Sequence, residues 1–388
     1  MIKILEVCTA SSPAYALVFK RAQVLNARYP QQLKIDILCS EGKEVQLMRQ
    51  QGMQVLITDL HRSLSPWRLL QSLLNLYKVL RQGDYKVVHL HFGVPSLVGR
   101  CLAFLMRKPI WIYQSHGYSL SHNTSALGKF AYLAVERLLK WPVNLALFQS
   151  HEDIQIARRY KLLDEPQIEY LGNGIDTDYF RPGLDLAAQK PSKTKTIFGM
   201  VARFEPIKNH DLLLDAVKHL RLVNPEFKVL LIGQGELKTE IAAKIAAHQL
   251  QDWIEIRPYN PQMAEFYQEI DVGLLTSFGE GLPRALLEPM ACAKPVIATD
   301  VKGSREAVKD QQTGFIVPVD TPQILAGKMQ WLMENPVERE QMGLAARAHV
   351  VEQFSAHQVL ERLGSIYLAC YEHHRRLAKL ETNWDTVQ

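Results

Sequence analysis

The clearest indication of the fold is the stretch "DVGLLTSFGEGLPRALLEPMACAKPVIATD", residues 271–300. Two apolar runs within it, "VGLLTS" and "PVIATD", have the length of buried strands, and residues 284–293 between them have a helical pattern. Short strand-like runs that alternate with helices are typical of a parallel, doubly wound sheet. The stretch therefore predicts one strand–helix–strand unit of an α/β domain.

The same alternation continues outward in both directions, with one interruption. "IKILEVC", "KVVHLHF" and "IWIYQSH" predict strands in the first half of the chain, and "TIFGMVARF" and "FKVLLIG" predict strands in the second. Residues 182–196 are polar, Lys-rich and without periodicity, which indicates a linker. The sequence therefore predicts two Rossmann-like, doubly wound parallel-sheet α/β domains facing a cleft, with ligands at the carboxyl ends of the strands.

The composition is that of a globular protein with packed cores. Apolar residues make up 47% of the 388 residues and charged residues 22%, which fits two or three domains. The sequence has no signal-peptide pattern and no apolar run of the ~20 residues that a membrane span needs. Five scattered cysteines favour reduced thiols, so we expect a cytoplasmic protein.

Charge is distributed unevenly along the chain. Residues 1–190 contain 23 Lys and Arg against 15 Asp and Glu, a net charge of +8, while the remaining residues have a net charge of −3. A basic first half favours an anionic partner. The alternative, a solvated basic surface without a partner, remains open.

Two glutamates, Glu280 and Glu288, flank the predicted start of a helix at Pro283. Pro suits the first helical position, where its missing N–H costs nothing. The amides of Gly281 and Leu282 would then point out of the helix start, which holds phosphate well. Carboxylates accept hydrogen bonds from hydroxyls, so the pattern suits a phosphate with a sugar on either side, as in a nucleotide sugar. The alternative is that Glu280 caps the helix and Glu288 is a solvated helix residue.

Two cationic residues, Arg203 and Lys208, follow the predicted strand "TIFGMVARF". At the carboxyl end of a strand, a guanidinium and an ammonium group could clamp a diphosphate in place of a magnesium ion. Taken alone, such residues in a loop are more often solvated.

Together these motifs resemble the retaining glycosyltransferases of family 4, which have the GT-B fold. The similar segments are "ARFEPIK", "GQG" at residues 233–235, the Glu280-to-Glu288 motif with "ACAKPVIAT" after it, and "GFIVPVD". In the first half "QSHGYS" and "LGNGIDTDYFRP" also resemble family segments. The resemblance covers nearly the whole chain and is most specific over residues 199–320.

The resemblance implies roles for individual residues. His116 would lie beside the transferred sugar, Arg203 and Lys208 would bind the diphosphate, Glu280 would face the sugar hydroxyls, and Glu288 would hold the ribose. The remaining implied donor contacts are Gly281, Leu282, Pro283, Arg257, Tyr259 and Ser12. Two departures from the family pattern are the glycine-free first loop, "TASSPAYA", and "RPYN" at the expected base-stacking position.

The resemblance also implies a division of the chain. We expect an acceptor-binding domain at residues 1–185, a linker at 186–196 and a domain for the nucleotide sugar at 197–355. Residues 356–388 would form a C-terminal helix that crosses back to the first domain.

No metal or resident cofactor is predicted, only the nucleotide sugar as co-substrate. "DTD" at residues 176–178 follows a turn and is rejected as a metal site. His89 and His91 alternate on a strand and face one side. Because no acidic or Cys partner stands near them in the sequence, packed histidines are favoured over metal ligands.

The predicted function is retaining transfer of a hexosyl or N-acetylhexosaminyl unit from a UDP-linked sugar to a lipid-linked or saccharide acceptor in surface polysaccharide biosynthesis. Partners would be the donor, the acceptor and the inner face of an anionic membrane, contacted through basic stretches with Trp67 and Trp141; no nucleic acid is expected. Two alternatives remain open, a nucleotide-sugar epimerase of similar fold and a non-catalytic nucleotide-sugar binding protein.

Overall fold

The computed structural model describes residues 1–61, 63, 65–91, 93–118, 126–183, 195–259 and 262–385. The chain forms two compact units, one made of Met1–Leu171 with Val359–Gln388 and the other of Gly172–Gln358. Residues 186–194 of the predicted linker lie outside the described residues.

The first unit is built around a seven-stranded parallel sheet with the strand order β3-β2-β1-β4-β5-β6-β7. Its strands are β1 (Ile2–Val7), β2 (Leu33–Cys39), β3 (Val55–Ile57), β4 (Val87–His91), β5 (Ile110–Ser115), β6 (Leu145–Phe148) and β7 (Ile168–Tyr170). Every residue of β4 and β5 is buried, as expected for strands covered on both faces.

Helices connect these strands and cover both faces of the sheet. They are α1 (Ser11–Pro13), which continues as a π-helical stretch (Ala14–Phe19) into α2 (Lys20–Arg28), then α3 (Lys43–Gln50), α4 (Pro66–Gly83), α5 (Gly93–Leu105), α6 (Ala126–Leu138) and α7 (His151–Arg159). Helix α7 begins after Ser150, whose hydroxyl accepts a hydrogen bond from the Asp153 amide.

The second unit has a six-stranded parallel sheet with the order β10-β9-β8-β11-β12-β13. Its strands are β8 (Thr196–Val201), β9 (Phe227–Ile232), β10 (Ile254–Arg257), β11 (Val272–Leu275), β12 (Val296–Thr299) and β13 (Gly314–Val317). Its helices are α8 (His210–Val223), α9 (Lys238–Ala247), α10 (Met263–Glu269), α11 (Arg284–Ala291), α12 (Ser304–Ala307), α13 (Pro322–Glu334) and α14 (Pro336–Gln353). The two sheets confirm the predicted α/β class with two doubly wound parallel-sheet domains.

The last helix, α15 (Ala356–Asp385), belongs to the first unit from Val359 onward. Leu363 and Tyr367 are fully buried in the core that β1 and β2 form with α2. A Cβ atom at Gly364 would lie 2.7 Å from the Tyr29 ring, so the glycine allows the helix to pack closely at the end of α2.

Each sheet reverses its strand order at one place, between β1 and β4 in the first unit and between β8 and β11 in the second. Ligands of open α/β sheets bind outside the carboxyl ends of the strands at such a reversal. The residues that follow β1, β4, β8 and β11 are therefore the ones to examine for function.

Candidate functional site

In the second unit, Lys208 and Glu280 meet at the carboxyl ends of β8 and β11. Lys208 Nζ donates a hydrogen bond to Glu280 Oε1 at 2.6 Å, and the Ser277 hydroxyl donates to the same oxygen at 2.5 Å. The side chains of Lys208 and Glu280 are only 20% and 11% exposed. Because its carboxylate is held by these two donors, Glu280 serves as their acceptor and not as the helix cap of the alternative interpretation.

Pro283 is not the first helical residue of α11, as proposed from the sequence, but the residue before it. The helix begins at Arg284, and Pro283 precedes it with an extended backbone (φ −78°, ψ 114°). The loop after β12 lies directly against this helix start, since a Cβ atom at Gly303 would come within 1.7 Å of the Gly281 carbonyl oxygen. Leu282 has a buried side chain, so only its backbone can face a ligand.

The second glutamate, Glu288, is largely buried and has two partners. The Tyr267 hydroxyl donates to Glu288 Oε2 at 2.9 Å, and Arg284 Nε lies 3.1 Å from Oε1. Burial raises the pKa of the Glu288 carboxyl, and the Arg284 charge and the Tyr267 hydrogen bond oppose this only in part. The structure therefore excludes the alternative in which Glu288 is a solvated helix residue.

Helix α11 contains a proline directly after Glu288. Pro289 lies inside the helix and is buried. It packs against β11, where a Cβ atom at Gly273 would come within 2.9 Å of the proline ring. Glycine at this strand position thus lets the proline-containing helix approach the sheet.

Arg203 differs from Lys208 in its surroundings. Its side chain is 74% exposed and forms an ion pair with Glu205 at 2.5 Å. A surface ion pair of this kind is worth at most about 1 kcal/mol. A ligand could thus bind the guanidinium with only a small loss of free energy from breaking this ion pair.

Of the two residues expected near the base, Tyr259 offers an accessible ring and Arg257 is committed to carboxylates. Arg257 lies 2.7 Å from both Glu255 and Glu269, and these hydrogen bonds raise its pKa. Tyr259 is 52% exposed. Partial burial raises the pKa of Tyr259, and the negative charge of Glu288 adds to the shift.

In the first unit, Ser12 and His116 follow β1 and β5. Ser12 is exposed in α1, while its neighbour Ser11 is buried and donates to Glu44 Oε2 at 2.6 Å. His116 is half-buried, with Gln149 Nε2 at 2.9 Å from its Nδ1.

The expectation that His89 and His91 lack an acidic partner is wrong. Strand β1 pairs with β4 and places Glu6 beside both histidines, so that one ligand atom of each residue lies within 4.8 Å of the others. Such a set could hold a metal ion, but Arg21 already lies 2.8 Å from Glu6 Oε2 and 2.9 Å from His91 Nε2. The guanidinium supplies the positive charge that a metal would otherwise bring.

Comparison with known proteins assigns the family. Residues 27–179 match Glycosyltransferase Family 4, and residues 185–349 match Glycosyl transferases group 1. The chain is a family 4 glycosyltransferase. Its assignment agrees with the motifs around Arg203, Lys208 and the two glutamates, and it favours sugar transfer over the epimerase and non-catalytic alternatives.

Curated and solved relatives cover nearly the whole glycosyltransferase. The chain is 22% identical over 347 residues to the Escherichia coli UDP-Gal:alpha-D-GlcNAc-diphosphoundecaprenol alpha-1,3-galactosyltransferase, covering 87% of this chain and 89% of that protein. The sucrose-phosphate synthase of Thermosynechococcus elongatus superposes with a TM-score of 0.82 at 18% identity over 96% of this chain and all of that one. The structure of Anabaena HepE in complex with UDP and glucose superposes with a TM-score of 0.77 at 18% identity, over 95% of this chain and 99% of that one. These likenesses establish the GT-B fold.

Several partners of the candidate residues were not found by sequence reasoning. Ser277 and Tyr267 carry no motif, and their contacts with the glutamates depend on how β11 and α10 pack. Glu6 did leave a signal, because it is a charged residue inside the apolar run "IKILEVC". A carboxylate in a strand buried on both faces needs a buried partner.

Proposed function

We propose that this glycosyltransferase transfers a hexosyl or N-acetylhexosaminyl unit from a UDP-sugar, with retention at the anomeric carbon and without a metal ion. The observation that carries the proposal is the Lys208–Glu280 pair at the carboxyl ends of β8 and β11. In this pair, a cation that would bind the diphosphate lies next to a carboxylate that would accept hydrogen bonds from the sugar hydroxyls. The UDP in HepE and the UDP-Gal in the name of the Escherichia coli relative support the choice of base.

The second unit would hold the donor through three kinds of group. Lys208, Arg203 and the amides at the start of α11 neutralise the diphosphate, where negative charge grows as the sugar leaves. Glu280 accepts hydrogen bonds from the transferred sugar. Glu288 accepts them from the ribose, with the exposed ring of Tyr259 for the base.

In the proposed step, the bond between the anomeric carbon and the diphosphate oxygen breaks while the acceptor oxygen bonds to the same face of the sugar. The acceptor proton passes to the departing phosphate oxygen, so the reaction balances without a protein base. The protein contributes electrostatic stabilisation fixed in place before the reaction, which typically supplies several kcal/mol. His116 contacts the sugar in this scheme.

We further propose a lipid-linked acceptor in surface polysaccharide biosynthesis. Helix α4 exposes Trp67, Leu70, Leu74 and Tyr77, whose spacing puts them on one helical face. Trp141 is 77% exposed after α6. Basic residues on α4, after α5 and on α6 of the same unit are also exposed: Arg68, Lys78, Arg81, Arg107, Lys108 and Arg137.

This combination suits the surface of an anionic bilayer, where aromatic side chains insert and basic ones bind headgroups. No helix among the described residues is long and apolar enough to cross a membrane. The contact that we propose is peripheral, at the cytoplasmic face. Sedimentation with phosphatidylglycerol vesicles at low and high salt tests it, and no binding in either condition would favour an acceptor in solution.

The donor is tested first by melting temperature. A ligand that binds only the folded state raises the melting temperature. The shifts produced by UDP-glucose, UDP-galactose and UDP-N-acetylglucosamine are therefore compared with the shift produced by GDP-mannose. EDTA is present in every sample. Transfer is then followed by mass spectrometry with a short-chain GlcNAc-diphospho-lipid as acceptor. Stabilisation by UDP-sugars and a heavier lipid product support the proposal, whereas a preference for GDP-mannose or a requirement for metal would overturn it.

A further inference from the structure

The first unit has a connected series of polar side chains at the carboxyl ends of β1, β4 and β5. His116 Nδ1 is 2.9 Å from Gln149 Nε2, and His116 Nε2 is 3.2 Å from His91 Nδ1. His91 Nε2 is in turn 2.5 Å from Glu6 Oε2. His116 is thus connected, through one buried histidine, to a buried carboxylate.

The two ends of this series fix the direction of its hydrogen bonds. The amide nitrogen of Gln149 can only donate, so His116 Nδ1 accepts and the ring proton of His116 is on Nε2. His91 Nε2 lies between two groups, Glu6 Oε2 at 2.5 Å, which can only accept, and Arg21 at 2.9 Å, which can only donate. Because Glu6 is the nearer and Arg21 has Glu6 Oε2 as its own acceptor at 2.8 Å, the ring proton of His91 is on Nε2 as well and points at Glu6. His91 Nδ1 is then free of a proton and accepts the hydrogen bond from His116 Nε2.

Arg21 keeps Glu6 in the ionised form that this direction requires. Its guanidinium donates to Glu6 Oε2 at 2.8 Å and to Gln114 at 3.0 Å. Burial alone would raise the pKa of the Glu6 carboxyl, but the Arg21 charge, together with hydrogen bonding from a histidine, holds it well below its usual range.

The two histidine rings of the series are neutral. Burial lowers the pKa of His91 to about 3 and the pKa of His116 well below its ordinary value. Each ring therefore carries a single proton at neutral pH, and the direction derived above needs only one proton on each ring.

The other oxygen of Glu6 is bound from the last helix. The Tyr367 hydroxyl donates to Glu6 Oε1 at 2.8 Å, and His89 Nδ1 lies 2.6 Å from that hydroxyl. Because the hydroxyl proton goes to Glu6, its oxygen accepts from His89, whose proton is therefore on Nδ1. His89 and His91, two residues apart on β4, thus have opposite tautomers.

We propose that His91 and Glu6 are positioning residues for His116, holding its ring in one orientation with the proton on Nε2. The proposal rests on the role of His116 at the transferred sugar. Both ring nitrogens of His116 are engaged by Gln149 and His91, so in this arrangement the ring shapes the sugar site and does not move a proton. The acceptor proton must then leave by another route, which agrees with its transfer to the departing phosphate.

Two substitutions at His91 separate its two contacts. The amide of Asn reaches about as far as Nδ1 of His, and that of Gln about as far as Nε2. His91→Asn therefore keeps a partner for His116, while His91→Gln keeps only the group that faces Glu6. We expect His91→Gln to lower kcat about 10-fold or more, because small misplacements at a reacting centre cost that much. The donor KM should change less than about 3-fold, and His91→Asn should stay within about 3-fold of the wild type in kcat.

The tautomers give a readout that does not depend on turnover. Nitrogen-15 spectra of the histidine rings, assigned with single His variants, should show Nε2–H for His116 and His91 and Nδ1–H for His89. The His116 signals should shift in His91→Gln and stay in place in His91→Asn. Tyr85→Phe is the control, since it removes a buried Tyr–carboxylate hydrogen bond of 2.9 Å to Asp36 elsewhere in the unit.

The outcomes distinguish the two hypotheses. A proton on Nδ1 of His116, a cationic His116 at pH 7, or equal activity of both His91 variants would overturn the positioning role in an active enzyme. A wild type without turnover on any UDP-sugar would instead overturn the proposed function, and the functional role of His116 with it, whatever the spectra show.

Discussion

The two units use the same strand order but treat their polar groups in opposite ways. Where β1 and β4 end, Glu6 and His91 are fully buried and are paired within the unit. Where β8 and β11 end, Lys208 is partly exposed and the Arg203 side chain is 74% exposed. In the first unit the polar side chains at the reversal of strand order are paired with one another, and we call them the closed network. In the second unit the cations Arg203 and Lys208 can be reached by a ligand, and we call them the open site.

This difference suggests that the polar groups of the first unit orient a side chain, whereas those of the second unit bind the donor. In the closed network, Glu6 and His91 have hydrogen-bond partners without a ligand, so loss of these contacts should harm folding and catalysis together. At the open site, the exposed Arg203 has only a surface ion pair to lose in the unliganded protein, so its removal should harm catalysis far more than folding.

The largest effect is expected from Lys208→Met. It removes the cation that would stabilise the departing diphosphate, so kcat/KM should fall about 10²- to 10³-fold, the range for loss of one preorganised electrostatic group. Steady-state release of UDP measures this. Lys218→Met is the matched control, since Lys218 forms a similar 2.8 Å ion pair with Asp215 in α8. If Lys208→Met kept more than about a third of the wild-type activity, Lys208 would not be a diphosphate-binding cation, and the contrast between the two units would fail at the open site.

Arg203→Ala should lower kcat/KM about 10- to 10²-fold, because a charge-assisted contact to the diphosphate is worth roughly 1.5–3 kcal/mol. The free energy of unfolding should change by less than about 0.5 kcal/mol, since the side chain is exposed. Urea unfolding and UDP-release assays measure the two quantities. Arg158→Ala, which breaks an exposed pair with Glu165, should alter neither. A large stability loss in Arg203→Ala would contradict the open character of the site.

Tyr367→Phe probes the closed network of the first unit. It removes one donor to the buried Glu6 carboxylate, which should cost about 1.5 kcal/mol in the free energy of unfolding. Urea unfolding measures the loss, and Tyr85→Phe should cost about as much because it also deprives a buried carboxylate of a hydroxyl. A Tyr367→Phe variant as stable as wild type would show that the network is not closed.

The sequence predicted the fold and the open site better than the closed network. Strand–helix alternation fixes the sheet class, and Arg203, Lys208, Glu280 and Glu288 lie in loops and a helix start with motif spacing. The pairing of Lys208 with Glu280 depends on β8 and β11 being neighbours, which the strand order determines. Local sequence could therefore suggest the residues but not the ion pair.

The closed network could not be predicted in the same way. Glu6 and His91 come from β1 and β4, His116 from the residue after β5, Arg21 from α2 and Tyr367 from the last helix. Spacing along the chain carries no information on a cluster assembled from five distant segments. Only the charge of Glu6 inside a buried strand indicated that a partner had to exist.

The smallest effect is expected from Glu288→Gln, and its sign varies with pH. Because burial raises the pKa of Glu288 in the folded protein, ionising this carboxyl costs folding free energy. The wild type should thus lose stability as pH rises through the folded pKa, and the variant should not. Urea unfolding between pH 5 and pH 8 should show a difference in the free energy of unfolding that grows with pH in favour of the variant.

UDP affinity measured by calorimetry should fall about 3- to 10-fold in Glu288→Gln, since the amide replaces a charged acceptor for the ribose. Glu269→Gln, at a more exposed carboxylate paired with Arg257, is the control and should show neither change. A variant less stable than wild type at pH 8 would mean that Glu288 is paired as tightly as Glu6, and the contrast between the two units would not hold there.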